Sequence, residues 1–165
     1  MSRLESGFIQ PKKDWCDLNE LVFIVINNNK EELNTHKIEF IPNDNLPLFK
    51  LDGGLMEHIL HNLIHNALQH TPENSCIKLQ VSHNETDCII QISDNGTGFP
   101  ENEIDLVFGK FYRLHNTAAG GTGLGLSIVK GYVEAMDGNV YLENISGGGA
   151  RFTLNIPCEK LMISD

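Results

Sequence analysis

Cys88-Ile-Ile-Gln-Ile-Ser93 is rich in β-forming residues and runs directly into Asp94-Asn-Gly-Thr-Gly98. A run of that composition crosses a core as a strand and delivers Asp94 to the rim, where the glycines turn the chain. Two glycines spaced by one residue permit a sharp turn and leave room for a flat ligand against the backbone. An ionised carboxylate only accepts hydrogen bonds, so its natural partner at such a rim is an exocyclic amine such as that of adenine. The same five residues also suit an ordinary hairpin turn. By themselves they leave both readings open.

A second glycine cluster separates the two. Gly120-Gly121-Thr122-Gly123-Leu124-Gly125-Leu126 opens an amphipathic helix whose apolar face carries Leu124, Ile128, Val129, Tyr132 and Val133. A glycine run ending at a helix N-terminus offers free backbone N–H groups and the positive end of the helix dipole to an anion. No Gly-Lys-Ser/Thr follows, so it is not a P-loop. Gly121, Gly123 and Gly125 lack the final two-residue gap of the dinucleotide fingerprint. A base reader on one glycine loop and a phosphate cradle on another point together to a nucleotide.

The chain has 165 residues, enough for one domain with its own core. No apolar run approaches the length of a membrane span, and no basic and apolar leader stands at the start. A formal charge of −10 argues against nucleic acid as a partner, and it means that phosphates must be met by local cations or Mg²⁺. Cys16, Cys76, Cys88 and Cys158 form no C-x-x-C pair and no zinc spacing, so free thiols are expected, with Cys76 and Cys88 on neighbouring strands.

Residues 1–13 are expected to be a linker cut from an upstream element, broken at Pro11. Residues 14–158 then form the domain, and 159–165 a tail. Asp17 with Glu20 makes a capping box for a helix to about Glu32. Strands are expected at His36–Ile41 and Leu48–Leu51. Asp52 caps a long helix through about His70, with Leu55, Ile59, Leu60, Leu63, Ile64, Ala67 and Leu68 on its apolar face. Strands follow at about Cys76–His83 and Asp87–Ser93, and a short helix near Glu101–Val107. After the Leu124 helix come strands at about Asn139–Asn144 and Arg151–Ile156, joined through Gly147-Gly148-Gly149. The interleaving predicts a two-layer α/β sandwich, three helices on one face of a mixed five-stranded sheet.

On the long helix His58, Asn62, Asn66 and Gln69 recur at helical spacing. This polar stripe carries side-chain carbonyl oxygens instead of the usual Lys and Glu, and Mg²⁺ takes oxygen ligands while leaning on substrate phosphates. His61 and His65 lie one turn apart, but no Glu follows the first and no third ligand is in reach, which argues against zinc. Lys110 and Arg113 precede the glycine-rich lid and suit phosphate oxygens. Phe108 and Phe111 suit the core.

The ordered set Asn62-Leu-Ile-His-Asn66-Ala, Asp94-Asn-Gly-Thr-Gly98, Phe108-Gly-Lys-Phe-Tyr-Arg113, Gly121-Thr-Gly-Leu-Gly125-Leu and Gly147-Gly-Gly-Ala-Arg-Phe152 resembles the ATP-binding (Bergerat, GHKL) domain of bacterial sensor histidine kinases. The wording around Lys13-Asp-Trp15 and Gly147–Phe152 is most similar to the potassium-responsive Kdp sensors. The resemblance implies a protein-histidine kinase module that binds Mg-ATP. Asp94 would read the adenine amine, with Gly96, Gly98 and Phe99 at the nucleotide. Asn66 would ligate Mg²⁺, and Asn62 and Gln69 would lie near the phosphates. Gly121, Thr122, Gly123, Leu124 and Gly125 would close over them, with Lys110 and Arg113 approaching the terminal phosphates. The implied partners are a His-bearing dimerisation domain of the same kinase and a response regulator. The implied location is cytoplasmic, as the cytosolic part of a membrane-bound sensor, with no membrane contact by this domain itself. Three positions depart from the pattern: Gln69 where many relatives carry Lys, His70 where Tyr is frequent, and Ala150 where distant ATPases use Thr.

Overall fold

In the computed structural model, which describes residues 9–110, 112 and 125–162, thirteen elements follow one another. They are β1 (Asp14–Cys16), α1 (Leu18–Asn28), α2 (Lys30–Leu33), β2 (Lys37–Phe40), β3 (Leu48–Leu51), α3 (Gly53–His70), β4 (Cys76–His83) and β5 (Asp87–Asp94). A 3-10 turn (Glu101–Leu106), α4 (Gly125–Ala135), β6 (Asn139–Asn144), β7 (Ala150–Pro157) and β8 (Lys160–Leu161) complete the order.

The main sheet is mixed and five-stranded, in the order β2-β4-β5-β7-β6, with only the β2–β4 pairing parallel. Register explains why one face is buried. Leu79 lies opposite Ile92, Ile92 opposite Phe152 and Phe152 opposite Leu142. Val81, Ile90, Leu154 and Val140 form the next row. Side chains alternate across a strand, so these rows make a continuous apolar surface, while Lys78, Gln80 and Gln91 point to the other side. The helices cover the apolar rows. Met56, Ile59, Leu60, Leu63, Ile64 and Ala67 of α3 are buried, as are Leu18, Val22 and Val25 of α1 and Val129 and Val133 of α4. This is the expected two-layer sandwich.

Two details differ from expectation. The first helix does not run unbroken to Glu32. It stops at Asn28, and buried Asn29 turns its side-chain amide onto the Val25 carbonyl (2.8 Å) before the short α2 begins. Asn favours such local side-chain bonds over helix continuation. Leu48–Leu51 does form a strand, but outside the main sheet. It is the centre of a small antiparallel sheet, β1-β3-β8, whose two outer strands are too short to be read from periodicity. The short helix expected near Glu101–Val107 is present as a 3-10 turn over Glu101–Leu106.

All four cysteines are free. Cys76 and Cys88 do lie on adjacent strands but at opposite ends of the ladder, since Cys88 faces His83. The thiol of Cys88 instead meets that of Cys158, which holds Cys88 protonated and lowers Cys158 to about 7. Among the described residues no helix is long and apolar enough to cross a membrane.

Asp52 joins two parts of this architecture. Its Oδ1 accepts from Leu55 N (3.1 Å) and so caps α3, while its Oδ2 accepts from Lys12 N (2.8 Å) and ties the incoming chain to that helix. Asp52→Ala should lower the unfolding free energy by about 1–2 kcal/mol, and Asp52→Asn by less, because one accepting oxygen survives. Urea denaturation of the two variants beside the parent checks this.

Candidate functional site

Asp94 is the last residue of β5, beside the first residue of β7. Its Oδ1 accepts from Gly96 N (2.9 Å) and Ala150 N (3.3 Å). Its Oδ2 has no hydrogen-bond partner among the described residues. One oxygen therefore orients the carboxylate while the other remains available to an incoming donor. Burial raises the Asp94 pKa above its ordinary value, opposed by the two backbone N–H bonds and by His70. A partly desolvated acceptor of this kind gains more from a donor than the same group in water does.

The loop after Asp94 is seated by close contacts that need its glycines. A Cβ on Gly96 would lie 2.8 Å from the Thr71 methyl. Gly98 has φ +79°, and a Cβ there would lie 2.5 Å from Asn144 Oδ1. Thr71 is itself fixed at the end of α3. Its hydroxyl donates to the Ala67 carbonyl (2.7 Å), so at its other contact it accepts from His36 Nε2 (2.8 Å). The Asn95 side chain accepts from Cys76 N (2.8 Å) and anchors the loop to β4.

The glycines of the β6–β7 turn do more than reverse the chain. Gly147, Gly148 and Gly149 all have positive φ, and a Cβ on Gly149 would collide with the Asp94 carbonyl. Ala150, the departure from the Thr of distant ATPases, is buried and contributes its backbone N–H to Asp94.

Phe99 is buried, with its ring 5.4 Å from that of His70 and 6.1 Å from that of Phe152. His70 is thus half-buried beside Asp94, and burial lowers its pKa although Asp94 pulls the other way. Asn62 and Asn66 are partly buried on α3, and neither amide has a partner among the described residues. Asn62 Oδ1 lies 3.9 Å from where a Cβ of Gly125 would stand, so this amide faces the start of α4. Gln69 is exposed.

The structure thus brings Asp94, Gly96, Gly98 and Phe99 together with the C-terminal end of α3, and Asn62 together with Gly125. Lys110 is exposed, shortly after the 3-10 turn. Arg113, Gly121, Thr122, Gly123 and Leu124 lie outside the described residues. His58 packs its ring on Tyr132 of α4 (5.9 Å), and His65 pairs with Glu32 (2.7 Å). Among the described residues no group of three His, Cys, Asp or Glu side chains is placed to hold a metal ion. An oxygen-donor amide such as Asn66, completed by phosphates and water, remains compatible with Mg²⁺.

Sequence reasoning passed over Asn144. It ends β6, and both ends of its amide meet the Phe99 backbone. An Asn at a strand end carries no signature of its own. The available signal was its position across the hairpin from Ala150, in a stretch already marked by three glycines.

Residues 52–160 match the family of histidine kinase-, DNA gyrase B- and HSP90-like ATPases. Over 162 residues, 96% of this chain, there is 31% identity to the sensor protein KdpD of Clostridium acetobutylicum. The chain spans only 18% of that protein's length. Full-length ShkA in complex with AMPPNP superposes with a TM-score of 0.85 at 25% identity, over 98% of this chain and 34% of that one. The histidine kinase ThkA, solved with the response regulator TrrA, gives 0.76 at 25% identity, over 89% of this chain and 42% of that one.

The raised pKa of Asp94 has a stability consequence whose sign is fixed. The folded state holds this proton more tightly than the unfolded state, so stability falls as pH rises from 3.8, the ordinary value, through the folded value. Above that window the ionised carboxylate is a constant cost. Asp94→Asn, which keeps an accepting oxygen without the charge, should therefore melt higher than the parent at neutral pH in the absence of nucleotide. The gap should close as the pH is lowered toward 3.8, as followed by thermal melts across pH.

Proposed function

The chain belongs to the histidine kinase-, DNA gyrase B- and HSP90-like ATPase family, and we propose that it serves as the catalytic part of a two-component sensor kinase, binding Mg-ATP and presenting the γ-phosphate to a His on a separate dimerisation domain. The observation that carries this reading is the Asp94 carboxylate. One of its oxygens is held by two backbone N–H groups, and the other, half-buried, awaits a donor. The exocyclic amine of adenine supplies that donor.

In this reading Asn62 and Asn66 turn their amide oxygens to the phosphate side, Asn66 as the Mg²⁺ ligand. Gln69, Lys110, Arg113 and the 121–125 segment complete the phosphate end, with Gly96, Gly98 and Phe99 at the base. Asn62 also separates transfer to a protein from hydrolysis. An amide does not take a proton from water at neutral pH, whereas a carboxylate does, so activation of water is not provided at this position. Phosphoryl transfer needs mainly positioning and charge neutralisation, which the remaining residues supply. Residues 14–158 form the nucleotide unit in this scheme. Residues 1–13 descend from the dimerisation helix, and Lys160–Leu161, expected in a tail, pair with Leu48 and Phe49 of β3. A response regulator is the downstream partner, as the assembly of ThkA with TrrA suggests. The module works on the cytoplasmic side of the membrane.

Asp94→Asn should lose roughly tenfold to a hundredfold in ATP affinity, the equivalent of about 1.5–3 kcal/mol for a charge-assisted bond. Unchanged affinity in calorimetry would remove the adenine assignment. Asn66→Ala should weaken ATP only when Mg²⁺ is present, and an equal loss in EDTA would make Asn66 structural. No His in the chain is followed by an acidic residue and then Pro, the context of the acceptor in the kinases it resembles. With γ-labelled ATP the chain should hardly label itself, and a dimerisation domain added in trans should become labelled. Rapid phosphate release by the chain alone would favour an ATPase instead.

A further inference from the structure

One rung of the β6–β7 hairpin touches both ends of the loop that follows Asp94. Asn144 and Ala150 are paired across that hairpin. Ala150 donates its N–H to Asp94 Oδ1 at 3.3 Å, at the start of the loop. Asn144 takes the other end. Its Oδ1 accepts from Phe99 N at 2.8 Å, and its Nδ2 donates to the Phe99 carbonyl at 2.8 Å and to Glu101 Oε1 at 2.9 Å. Both amide hydrogens and the amide oxygen are therefore in use. The orientation of the amide is dictated by its partners, since reversing it would set its NH₂ against the Phe99 N–H. The Gly98 backbone rests directly on the same group, leaving no space for a side chain.

We infer that Asn144 is a positioning residue for base recognition: by gripping Phe99 while its rung partner grips Asp94, it sets the path of the 94–99 loop and hence the direction in which the Asp94 carboxylate faces the nucleotide. The third contact, to Glu101, extends that hold to the 3-10 turn leading toward Lys110. Asn144 itself touches no substrate in this scheme. It acts through the backbone of Gly98 and Phe99. The inference rests on Asp94 reading the base, and the experiment below separates the two.

Three variants distinguish positioning from bulk packing. Asn144→Ala removes all three bonds. Asn144→Asp keeps the shape and the bond from Phe99 N, but it removes both donors and sets a carboxylate against Glu101. Glu101→Gln keeps an accepting oxygen for the Asn144 amide. Thermal melts confirm that each is folded, and binding is measured with Mg-ATP and, as a probe without a base, Mg-tripolyphosphate. Asn144→Ala and Asn144→Asp should each lose roughly tenfold in ATP affinity, while tripolyphosphate binding stays at the parental level. Glu101→Gln should bind both like the parent. Parental ATP affinity in Asn144→Asp would overturn the inference, as would equal losses for ATP and tripolyphosphate in both Asn144 variants. Asp94→Asn serves as the reference. If that variant binds ATP like the parent, the base assignment itself falls, and the role of Asn144 falls with it.

Discussion

The turn of the β6–β7 hairpin lies so close to the Asp94 carbonyl that no side chain fits between them. Much of the site follows from that approach. Because Gly149 has no Cβ, the first N–H of β7 reaches the Asp94 carboxylate and the last residue of β6 reaches Phe99. The positive φ values at Gly147, Gly148 and Gly149 are what bring the hairpin back at this height. A substitution at Gly149 would displace the hairpin turn or the Asp94 carbonyl, since both are backbone and neither can swing aside.

Holding a carboxylate there is costly, and the rest of the fold absorbs the cost. Asp94 is desolvated, and its neighbour His70 is pushed toward neutrality by the same burial. Two backbone N–H bonds offset part of the penalty without closing off the second oxygen. The matched apolar rows of β4, β5, β7 and β6, covered by α3 and its neighbours, supply a core able to tolerate this. Such local sacrifice of stability is a general property of functional sites.

Where the chain announced its structure, local chemistry was strong. Asp52 caps α3 as the spacing implied, and β4 and β5 form where their β-rich runs were expected. Asp94 stands at the strand end to which the Cys88–Ser93 run leads. What escaped the sequence depends on partners far along the chain. Asp14–Cys16 and Lys160–Leu161 are strands only because Leu48–Leu51 lies between them. Neither has the length to show a period of two. Asn29 breaks a helix through a bond to Val25 that competes with continuation, a contest that propensity alone does not decide. Asn144 is the same lesson at the site. Its meaning comes from Phe99, which the fold brings across to it.

The small sheet also imposes an order in time. A ribosome delivers Asp14–Cys16 and Leu48–Leu51 early, so one edge of β3 is paired soon after it emerges. Its other edge waits for Lys160–Leu161, the last strand in order among the described residues. Until then Leu48 and Phe49 present open backbone groups, the kind of edge that recruits a neighbouring nascent chain. Closing that edge takes only a two-residue strand, made long after β3 itself. The fold is therefore not sealed element by element as it is made, and Lys160–Leu161 complete a surface begun with Asp14–Cys16.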